Sequence, residues 1–240
     1  MVQINPGVAE QKEGVSVAQQ ERAKRTRQVI LEAAGIVFDE CGYEAATISQ
    51  ILARADVTRG ALYFHFSSKE DLARGVLDMA VTTEGVLPQQ FKLQELADTS
   101  LLLAHRMPRE PLLRAALRLS VDQRARRMFG TKWPEWITVG AGLLAEAKAR
   151  GELLAHVDPY ETSRFLVGAW TGVQLVAEAV PQDDSLVHEV SLMYQMLLPN
   201  IAVPAVLARL DVAPDRPLRL SEAAAATRPG TGGDAGTTGN

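Results

Sequence analysis

The stretch that decides the fold covers residues 47–70 and reads TISQILARADVTRGALYFHFSSKE. Thr47 and Gln50 fit a capping box, in which the side chain of each residue bonds to the backbone N–H of the other. This pair predicts a short helix over about 48–55. The Asp56-Val57 pair that follows predicts a tight turn.

Two more helix starts follow that turn. Thr58 is a residue type that caps helices, and it predicts a second short helix over about 59–64. Ser67 and Glu70 form another capping box, which predicts a long helix over about 68–87. The segment is therefore expected to form two short helices joined by a turn, followed by a long one.

Helices of about two turns are not stable alone, so these two need a partner. The preceding segment supplies one, because its apolar residues recur at the spacing of one buried helix face. Those residues are Ile30, Ala33, Ala34, Val37 and Phe38. The residues expected to pack with them are Ile48, Ile51, Leu52, Val57 and Leu62, and Phe64 and Phe66 are also placed in the core. This is a helix-turn-helix, whose second helix lies in the major groove of DNA.

The second short helix has the chemistry that base reading needs. Arg59 at its N-terminus can donate two hydrogen bonds to a guanine, and Thr58 lies beside it. Gly60 is small enough for the backbone to approach the duplex closely. Tyr63 and His65 offer a hydroxyl and a ring N–H to phosphates.

Further contacts with the DNA backbone are expected outside that helix. Lys69 lies in the first turn of the long helix, whose free N–H groups also favour a phosphate. Arg27 belongs to a basic cluster that opens the first helix and can hold the flanking DNA backbone. Thr47 is also counted among the expected DNA contacts. Charge gives modest support, because residues 18–76 include eight basic and eight acidic side chains.

The composition of the whole chain is that of an ordinary globular protein. The 240 residues are 47% hydrophobic and 22% charged, with a net charge of −4 that argues against non-specific coating of nucleic acid. The single Cys41 excludes an intrachain disulfide and a Cys-rich zinc site, and we expect its thiol to be packed. No cofactor or metal is predicted. Because neither a signal peptide nor an apolar run of ~18 residues is found, we expect a cytoplasmic protein with no membrane partner.

We expect an all-α fold with four parts. They are a flexible arm over 1–17, a helix-turn-helix domain over 18–67, a ligand-binding and dimerisation domain over 68–210, and a disordered tail over 211–240 that is rich in Gly, Thr and Ala. The remaining helices are predicted at about 94–106, 110–120, 134–150, 159–180 and 184–198, with Pro181 and Pro199 ending the last two.

The segment RTRQVILEAAGIVFDECGYEAATISQILARADVTRGALYFHFSSKEDLARGVL resembles the DNA-binding domain of the TetR family of repressors. Two stretches, VTRGALYFHFSSKEDLA and WPEWITVGAGLLAEAKARGELLAHVDP, resemble the γ-butyrolactone receptors of antibiotic-producing actinomycetes. The resemblance implies a TetR-like fold and a dimer that binds a palindromic operator. It implies DNA contacts at Thr58, Arg59, Gly60, Tyr63, His65 and Lys69. Arg59 stands where lysine is expected in many relatives, and arginine is the better guanine reader, so the preferred operator bases stay open.

The same resemblance implies a small-molecule pocket in the C-terminal half. Trp136 aligns with the family's ligand-covering tryptophan, and Trp133 lies one turn before it. Thr171 or Gln174 would anchor a lactone carbonyl or hydroxyl. Without the resemblance, a tryptophan on such a helix is more often a core residue. The residues present allow an apolar cavity with few polar groups, which is the usual form of such a site.

The last two long helices are apolar over a wider arc than one core face requires. The residues in excess are Val187, Val190, Leu192, Met193, Met196 and Leu197. We therefore predict a homodimer in which these helices pair as a four-helix bundle. Such a dimer would set the two recognition helices about 34–36 Å apart, the spacing of successive major grooves.

The resemblance, together with these features, implies a repressor of secondary metabolism that a small lactone releases from its operator. The ligand would favour a state with wider-spaced recognition helices, with the long helix from Ser68 as the lever. A receptor for an antibiotic or another drug-like metabolite is the alternative within this class. A helical enzyme is disfavoured, because the four histidines lie far apart in sequence and no Gly-rich phosphate loop precedes a helix.

Overall fold

In the computed structural model the described residues are 6–83, 85–180 and 185–226, with side chains described from residue 19 to residue 223 of these ranges. They form α-helices and no strand, which confirms the all-α prediction; Leu153 and Ala202 make an isolated β-bridge. The helices are α1 Pro6–Ala45, α2 Ile48–Ala55, α3 Arg59–His65, α4 Lys69–Met79, α5 Lys92–Arg106, α6 Pro111–Val121, α7 Gln123–Phe129, α8 Trp133–Ala149, α9 Pro159–Ala179, α10 Leu186–Ile201, α11 Pro204–Leu207 and α12 Arg216–Ala226.

The chain divides into two compact units. Unit 1 combines Met1–Thr82 with Met107–Pro134, and unit 2 combines Thr83–Arg106 with Glu135–Asn240. Helices α4, α6 and α7 therefore belong with the helix-turn-helix. The sequence predicted a single boundary between residues 67 and 68, because a local pattern does not show that the chain later returns to its first unit.

The core of unit 1 forms around α1. Its predicted face from Ile30 to Phe38 is buried, and residues of α2, α3, α4 and α6 pack on it. Gly35 lets α6 come close, since a Cβ at this position would lie 3.0 Å from the Cα of Leu112. An ion pair of 2.8 Å between Arg114 of α6 and Asp39 of α1 fixes the two helices together. Arg118 adds a 2.6 Å hydrogen bond from its guanidinium to the backbone carbonyl of Asp39.

The core of unit 2 contains polar groups that are paired. Tyr194 of α10 is fully buried, and its hydroxyl shares a 2.8 Å hydrogen bond with the hydroxyl of Ser100 on α5. Burial raises the pKa of Tyr194, so the phenol stays neutral. The buried carboxylate of Glu152 accepts hydrogen bonds from the backbone N–H groups of Lys92 and Leu93, at 3.1 and 3.0 Å, and so caps the start of α5.

The predicted disordered tail over 211–240 is wrong for residues 216–226, which form α12. Arg216 holds this helix on α5, where its guanidinium binds both carboxylate oxygens of the fully buried Asp98, one of them at 2.8 Å. Gln94 reinforces the contact by bonding to both the N–H and the carbonyl of Asp211, at 2.8 and 2.7 Å. Composition cannot reveal a partner more than a hundred residues away. Residues 227–240 lie outside the described part.

Several predicted boundaries also differ from the structure. Helix α1 begins at Pro6, so the flexible arm over 1–17 is wrong from that residue onward. Helix α4 ends at Met79, eight residues before the predicted end. Helix α10 continues through Pro199 to Ile201, because a proline in the last turn removes only one helical hydrogen bond.

Two smaller expectations concern single positions. Cys41 is exposed and not packed: it continues the spacing of the buried stripe of α1, but it lies at the end of that stripe, just before the break at Gly42, where φ is 76°. The expected cap of α10 at Asp183-Asp184 falls outside the described residues, and Ser185 caps this helix by accepting from the N–H of His188.

None of the helices in the described ranges combines the length and the apolar character that crossing a membrane requires. Within the same ranges, no three His, Cys, Asp or Glu side chains come together as a set that could hold a metal ion.

We predict that Arg216→Ala lowers the free energy of unfolding by about 3 kcal/mol, because it leaves the carboxylate of Asp98 buried without its charged partner, with only the amide of Gln94 still donating to it. Urea unfolding followed by circular dichroism measures the effect. Arg219→Ala is the matched control: Arg219 pairs with Asp211 and Asp215 on the surface, so its loss should change stability by less than about 1 kcal/mol. Equal unfolding midpoints for the two variants would contradict the prediction.

Candidate nucleic-acid interface and ligand site

Helix α2 begins and ends as the sequence predicts. The hydroxyl of Thr47 accepts from the N–H of Gln50 at 3.2 Å, and the side chain of Gln50 accepts from the N–H of Thr47 at 2.8 Å. Asp56 then adopts the left-handed conformation with φ of 51°, which ends the helix and turns the chain toward α3. Because Thr47 uses its hydroxyl in this cap, it is at the exposed start of α2 but is not a free side chain.

Helix α3 presents its N-terminal end to solvent. Thr58 caps it by accepting from the N–H of Ala61 at 3.2 Å. Arg59 is exposed and makes no hydrogen bond or ion pair within the described residues. At Gly60 the nearest atom to an added Cβ is the hydroxyl of Thr58 at 4.0 Å, so this surface is open. Tyr63 is also exposed on this helix.

The two phenylalanines that were placed in the core behave differently. Phe66 is 2% exposed and belongs to the core of unit 1, as expected. Phe64 is 78% exposed, so that expectation is wrong for it. At about 100° per residue, Phe64 lies on the side of α3 opposite to the buried Leu62. His65 is half-buried between them, with its ring edge-on to Phe64 at 5.0 Å.

Arg27 lies next to the end of α3. Its guanidinium stands over the ring of Phe66, 5.1 Å from the centroid, while the side chain stays exposed. This cation–π contact links the basic cluster of α1 to the helix-turn-helix. Arg22, Lys24 and Arg25 of the same cluster are exposed as well, and Lys24 pairs with Glu21 at 2.9 Å.

Lys69 has a different place from the one expected. Its ammonium donates to the backbone carbonyls of Tyr43, Glu44 and Ala46, at 2.8, 3.3 and 2.9 Å. It also lies 4.3 Å from the ring centroid of Tyr43. An ammonium has three protons, and all three are used here, so the side chain caps the end of α1 and is not directed at a phosphate. Burial, together with the charge of Glu70, raises the pKa of Tyr43 to about 12.

The four residues expected at the ligand pocket do not fall in one unit. Trp133 belongs to unit 1, where the guanidinium of Arg126 lies 5.8 Å from its ring centroid. Trp136, Thr171 and Gln174 belong to unit 2. Trp136 is half-buried, and the hydroxyl of Thr171 donates to the carbonyl of Val167 at 2.8 Å.

Gln174 is the informative member of this set. It is 2% exposed, and its Nε2 donates to the carboxylate of Glu178 one turn later on α9. Since a carboxylate only accepts hydrogen bonds, the amide orientation is determined and Oε1 points the other way. That oxygen is buried and has no hydrogen-bond donor within the described residues. A buried acceptor without a donor is costly, and a hydroxyl-bearing ligand would satisfy it.

The family model for bacterial regulatory proteins of the tetR family matches residues 30–76. The chain is 38% identical over 195 residues to the A-factor receptor protein of Streptomyces griseus, a match that covers 81% of this chain and 70% of that protein. The chain belongs to the TetR family.

Solved structures of TetR proteins show the same fold over most of this chain. TylP, a TetR regulator from Streptomyces fradiae, matches with a TM-score of 0.76 and 42% identity, over 85% of this chain and 99% of that one. A γ-butyrolactone receptor described as an ArpA-like protein matches with a TM-score of 0.64 and 28% identity, over 84% of this chain and 99% of that one. This TetR-family chain is therefore a transcriptional regulator and not an enzyme.

Two features of this TetR protein's candidate sites were missed from the sequence. The exposure of Phe64 was predictable, because its helical register relative to Leu62 already places it on the outer face of α3. The polar anchoring of α9 to α5, in which the indole N–H of Trp170 donates to the carbonyl of Ser100 at 3.4 Å, had no local signal, because the two residues lie seventy positions apart.

Proposed function

We propose that this TetR-family regulator is a repressor that binds a palindromic operator as a homodimer and is released by a small lactone such as a γ-butyrolactone. The observation that carries the DNA-binding part is the geometry of α3. Its inner face is buried, while Thr58, Arg59 and Gly60 form an open, exposed N-terminal end. A helix held in this way can enter the major groove and bring Arg59 to the edge of a guanine. A repressor that acts on a bacterial genome would work in the cytoplasm.

The remaining DNA contacts are assigned to the backbone. Tyr63 and His65 lie on α3 with polar atoms that can reach phosphates, and Arg27 stands beside the end of that helix. Thr47 marks the start of α2, where backbone N–H groups favour a phosphate. The side chain of Lys69 is not part of this set, because its protons are already used. At the start of α4, the proposed phosphate contact is therefore made by the free backbone N–H groups of the helix and not by the Lys69 side chain.

Gln174 supports the choice of ligand. Its buried Oε1 needs a donor, and a lactone that carries a hydroxyl provides one while its ring and alkyl chain remain in an apolar environment. Thr171 lies three residues earlier on α9, and Trp136 is the half-buried tryptophan of α8 in the same unit. The ArpA-like relative is a γ-butyrolactone receptor, which agrees with this ligand class. Trp133, which lies in unit 1, has less support as a pocket residue.

The homodimer is proposed to form through α9 and α10. These helices carry large apolar side chains that are exposed in the single chain: Phe165, Leu175, Val176, Val180 and Met196. Gly168 and Gly172 lie along the same helix with open space where a Cβ would be, so another helix can approach α9 closely. Val187 and Val190, which were expected at the interface, are instead buried in the core of unit 2. An exposed apolar surface of this kind supports a protein interface.

Release would follow from a shift between two states of the dimer. In one state the recognition helices fit the operator, and in the other their spacing is wrong. A ligand that binds better to the second state depletes the first. The change in the ratio of the two states is limited to the ratio of the ligand's affinities for them. Helix α4 follows the recognition helix, and the chain leaves it to enter unit 2 at residues 82–83. The proposed lever is therefore this helix and the segment that follows it.

We predict that Arg59→Ala weakens binding to the operator by roughly 5- to 150-fold for each half-site and relaxes base preference at one position, because a bidentate guanine contact is lost. The operator is obtained by selecting bound duplexes from a random pool, and affinity is then measured by fluorescence anisotropy. Arg54→Ala is the control, since Arg54 is an exposed arginine of α2 that pairs with Glu40. Unchanged affinity of the Arg59 variant would exclude α3 as the reading helix.

We predict that Gln174→Leu keeps operator binding but weakens ligand affinity by roughly 10-fold or more, because a buried donor on the ligand loses its acceptor. Calorimetry with a γ-butyrolactone and a mobility-shift assay of release from the operator measure the two effects. Gln90→Leu, on the surface of the same unit, should change neither. If the wild-type protein binds an antibiotic and no lactone, the proposed lactone is wrong and the ligand is a drug-like metabolite.

We predict that Met196→Arg converts the dimer into a folded monomer, because a charge placed on an apolar interface loses its water on association. Met196 is 74% exposed in the single chain, so the fold of the protomer should tolerate the change. Sedimentation velocity measures the mass. Leu218→Arg is the matched control, as Leu218 is an exposed apolar residue of α12, outside the proposed interface. A dimer that survives the Met196 change would place the interface elsewhere.

A further inference from the structure

The positive charge of unit 1 is concentrated outside its helix-turn-helix. Unit 1 has sixteen basic and thirteen acidic residues, whereas unit 2 has nine and sixteen. The short segment 107–134, which includes α6 and α7, contributes seven basic residues and only two acidic ones. This segment therefore supplies the whole positive excess of the unit that carries the recognition helix.

Many of these basic side chains already have partners inside unit 1. Arg114 and Arg118 bind Asp39 and hold α6 on α1. Lys132 pairs with Asp78 at 2.7 Å. The guanidinium of Arg126 faces the ring of Trp133. These contacts explain four of the seven basic residues as structural.

Helix α7 leaves two of its arginines on an outer face. Ala125 is buried, and Phe129 packs beside it against the core, so the opposite side of the helix must point outward. Arg124 and Arg127 lie three residues apart on that side and are both exposed. Arg127 has no ion pair among the described residues. Arg124 pairs at 3.2 Å with Glu44, but the two side chains are 74% and 59% exposed, so this pair is weak.

The outer face of α7 lies beside the start of the helix-turn-helix. Arg124 reaches Glu44, and the ring of Phe129 packs edge-on to that of Tyr43 with centroids 4.7 Å apart. Tyr43 and Glu44 belong to the segment that leads directly into α2. In a helix-turn-helix complex the helix that precedes the recognition helix crosses the DNA backbone. The contacts of α7 therefore place Arg124 on the side of unit 1 where backbone phosphates run.

We propose that Arg124 and Arg127 form a second phosphate-binding surface, which contacts the DNA backbone next to the half-site that α3 reads. The proposal rests on DNA binding through α3 and adds a contact from outside the helix-turn-helix. Arginine suits this role, because its planar guanidinium can bind a phosphate with two hydrogen bonds. The contact carries no base information and contributes affinity at every sequence.

Glu44 has a defined part in this surface. In the single chain its carboxylate is the partner of Arg124, and on DNA a phosphate takes that place. Glu44 therefore opposes the contact, first by holding the arginine and then by repelling the backbone. Removing its charge should strengthen DNA binding, an effect that damage to the fold cannot imitate.

The first experiment measures the slope of the logarithm of the association constant against the logarithm of salt concentration. Each phosphate contact contributes about 0.9 to this slope for B-form DNA. In Arg124→Ala/Arg127→Ala, with two arginines lost from each protomer of a dimer, the slope should become less steep by up to about 3.6. The loss should be equal for the selected operator and for an unrelated duplex of the same length, because the contact does not read bases.

The control is Arg150→Ala, which removes an exposed arginine of unit 2 that pairs with Glu146 at 3.9 Å and should leave the slope unchanged. Circular dichroism and thermal unfolding check that each variant is folded. In the second experiment, Glu44→Gln should tighten binding by roughly 2- to 5-fold at about 0.1 M salt, and most of this gain should vanish when Arg124 is also alanine.

The outcomes separate this proposal from the function on which it rests. If Arg59→Ala weakens operator binding but the α7 variant keeps the wild-type slope, DNA recognition stands and the second surface is wrong. The arginines of α7 would then fit an acidic protein partner instead. If the wild-type protein prefers no duplex at all, the proposed function fails. A slope that falls for the operator but not for the unrelated duplex would also overturn the proposal, because it would show base reading.

Discussion

The rest of the structure depends on how α3 is held. A helix of seven residues does not persist alone in water, and this one is fixed by the burial of Leu62 and Phe66 in the core around α1. Because both anchors lie on one face, Phe64 on the opposite face is exposed, while Arg59 is exposed at the N-terminal end of the helix. The burial that stabilises α3 therefore also determines which side chains are available for the proposed DNA contact, and a change in the core of unit 1 should alter that contact without touching DNA.

The support for α3 extends beyond the helix-turn-helix. Asp39, near the C-terminal end of α1, binds two arginines of α6, and the close approach at Gly35 brings α6 onto the same helix. Lys69 closes the end of α1 by binding three carbonyls. The C-terminal end of α1, which leads into α2 and α3, is therefore held by charged groups that bind backbone or carboxylate oxygens. A site that must keep a fixed geometry needs supporting contacts of this kind.

The parts of this fold that were predictable depend on residues close together in sequence. The capping box of Thr47 and the buried face of α1 follow from spacings of three or four residues, and both are confirmed. The roles of Lys69 and Arg216 depend on partners about 25 and 118 positions away, so no local pattern could reveal them. Phe64 is a different case, because its exposure follows from the helical period, and the error was to judge it by residue type.

Net charge is a poor guide to what this protein binds, because it averages over two units of opposite sign. At physiological salt a charge acts over about 8 Å, so DNA bound at α3 would respond to the side chains near that helix and not to the total of −4. The acidic excess of unit 2 makes the total negative, whereas unit 1, which carries α3, has a positive excess. In the proposed function, basic side chains of unit 1 contact phosphates at any sequence, and Arg59 makes the base contact that distinguishes the operator. The charge of the unit that carries α3 is therefore a better guide to the proposed DNA contact than the charge of the whole chain.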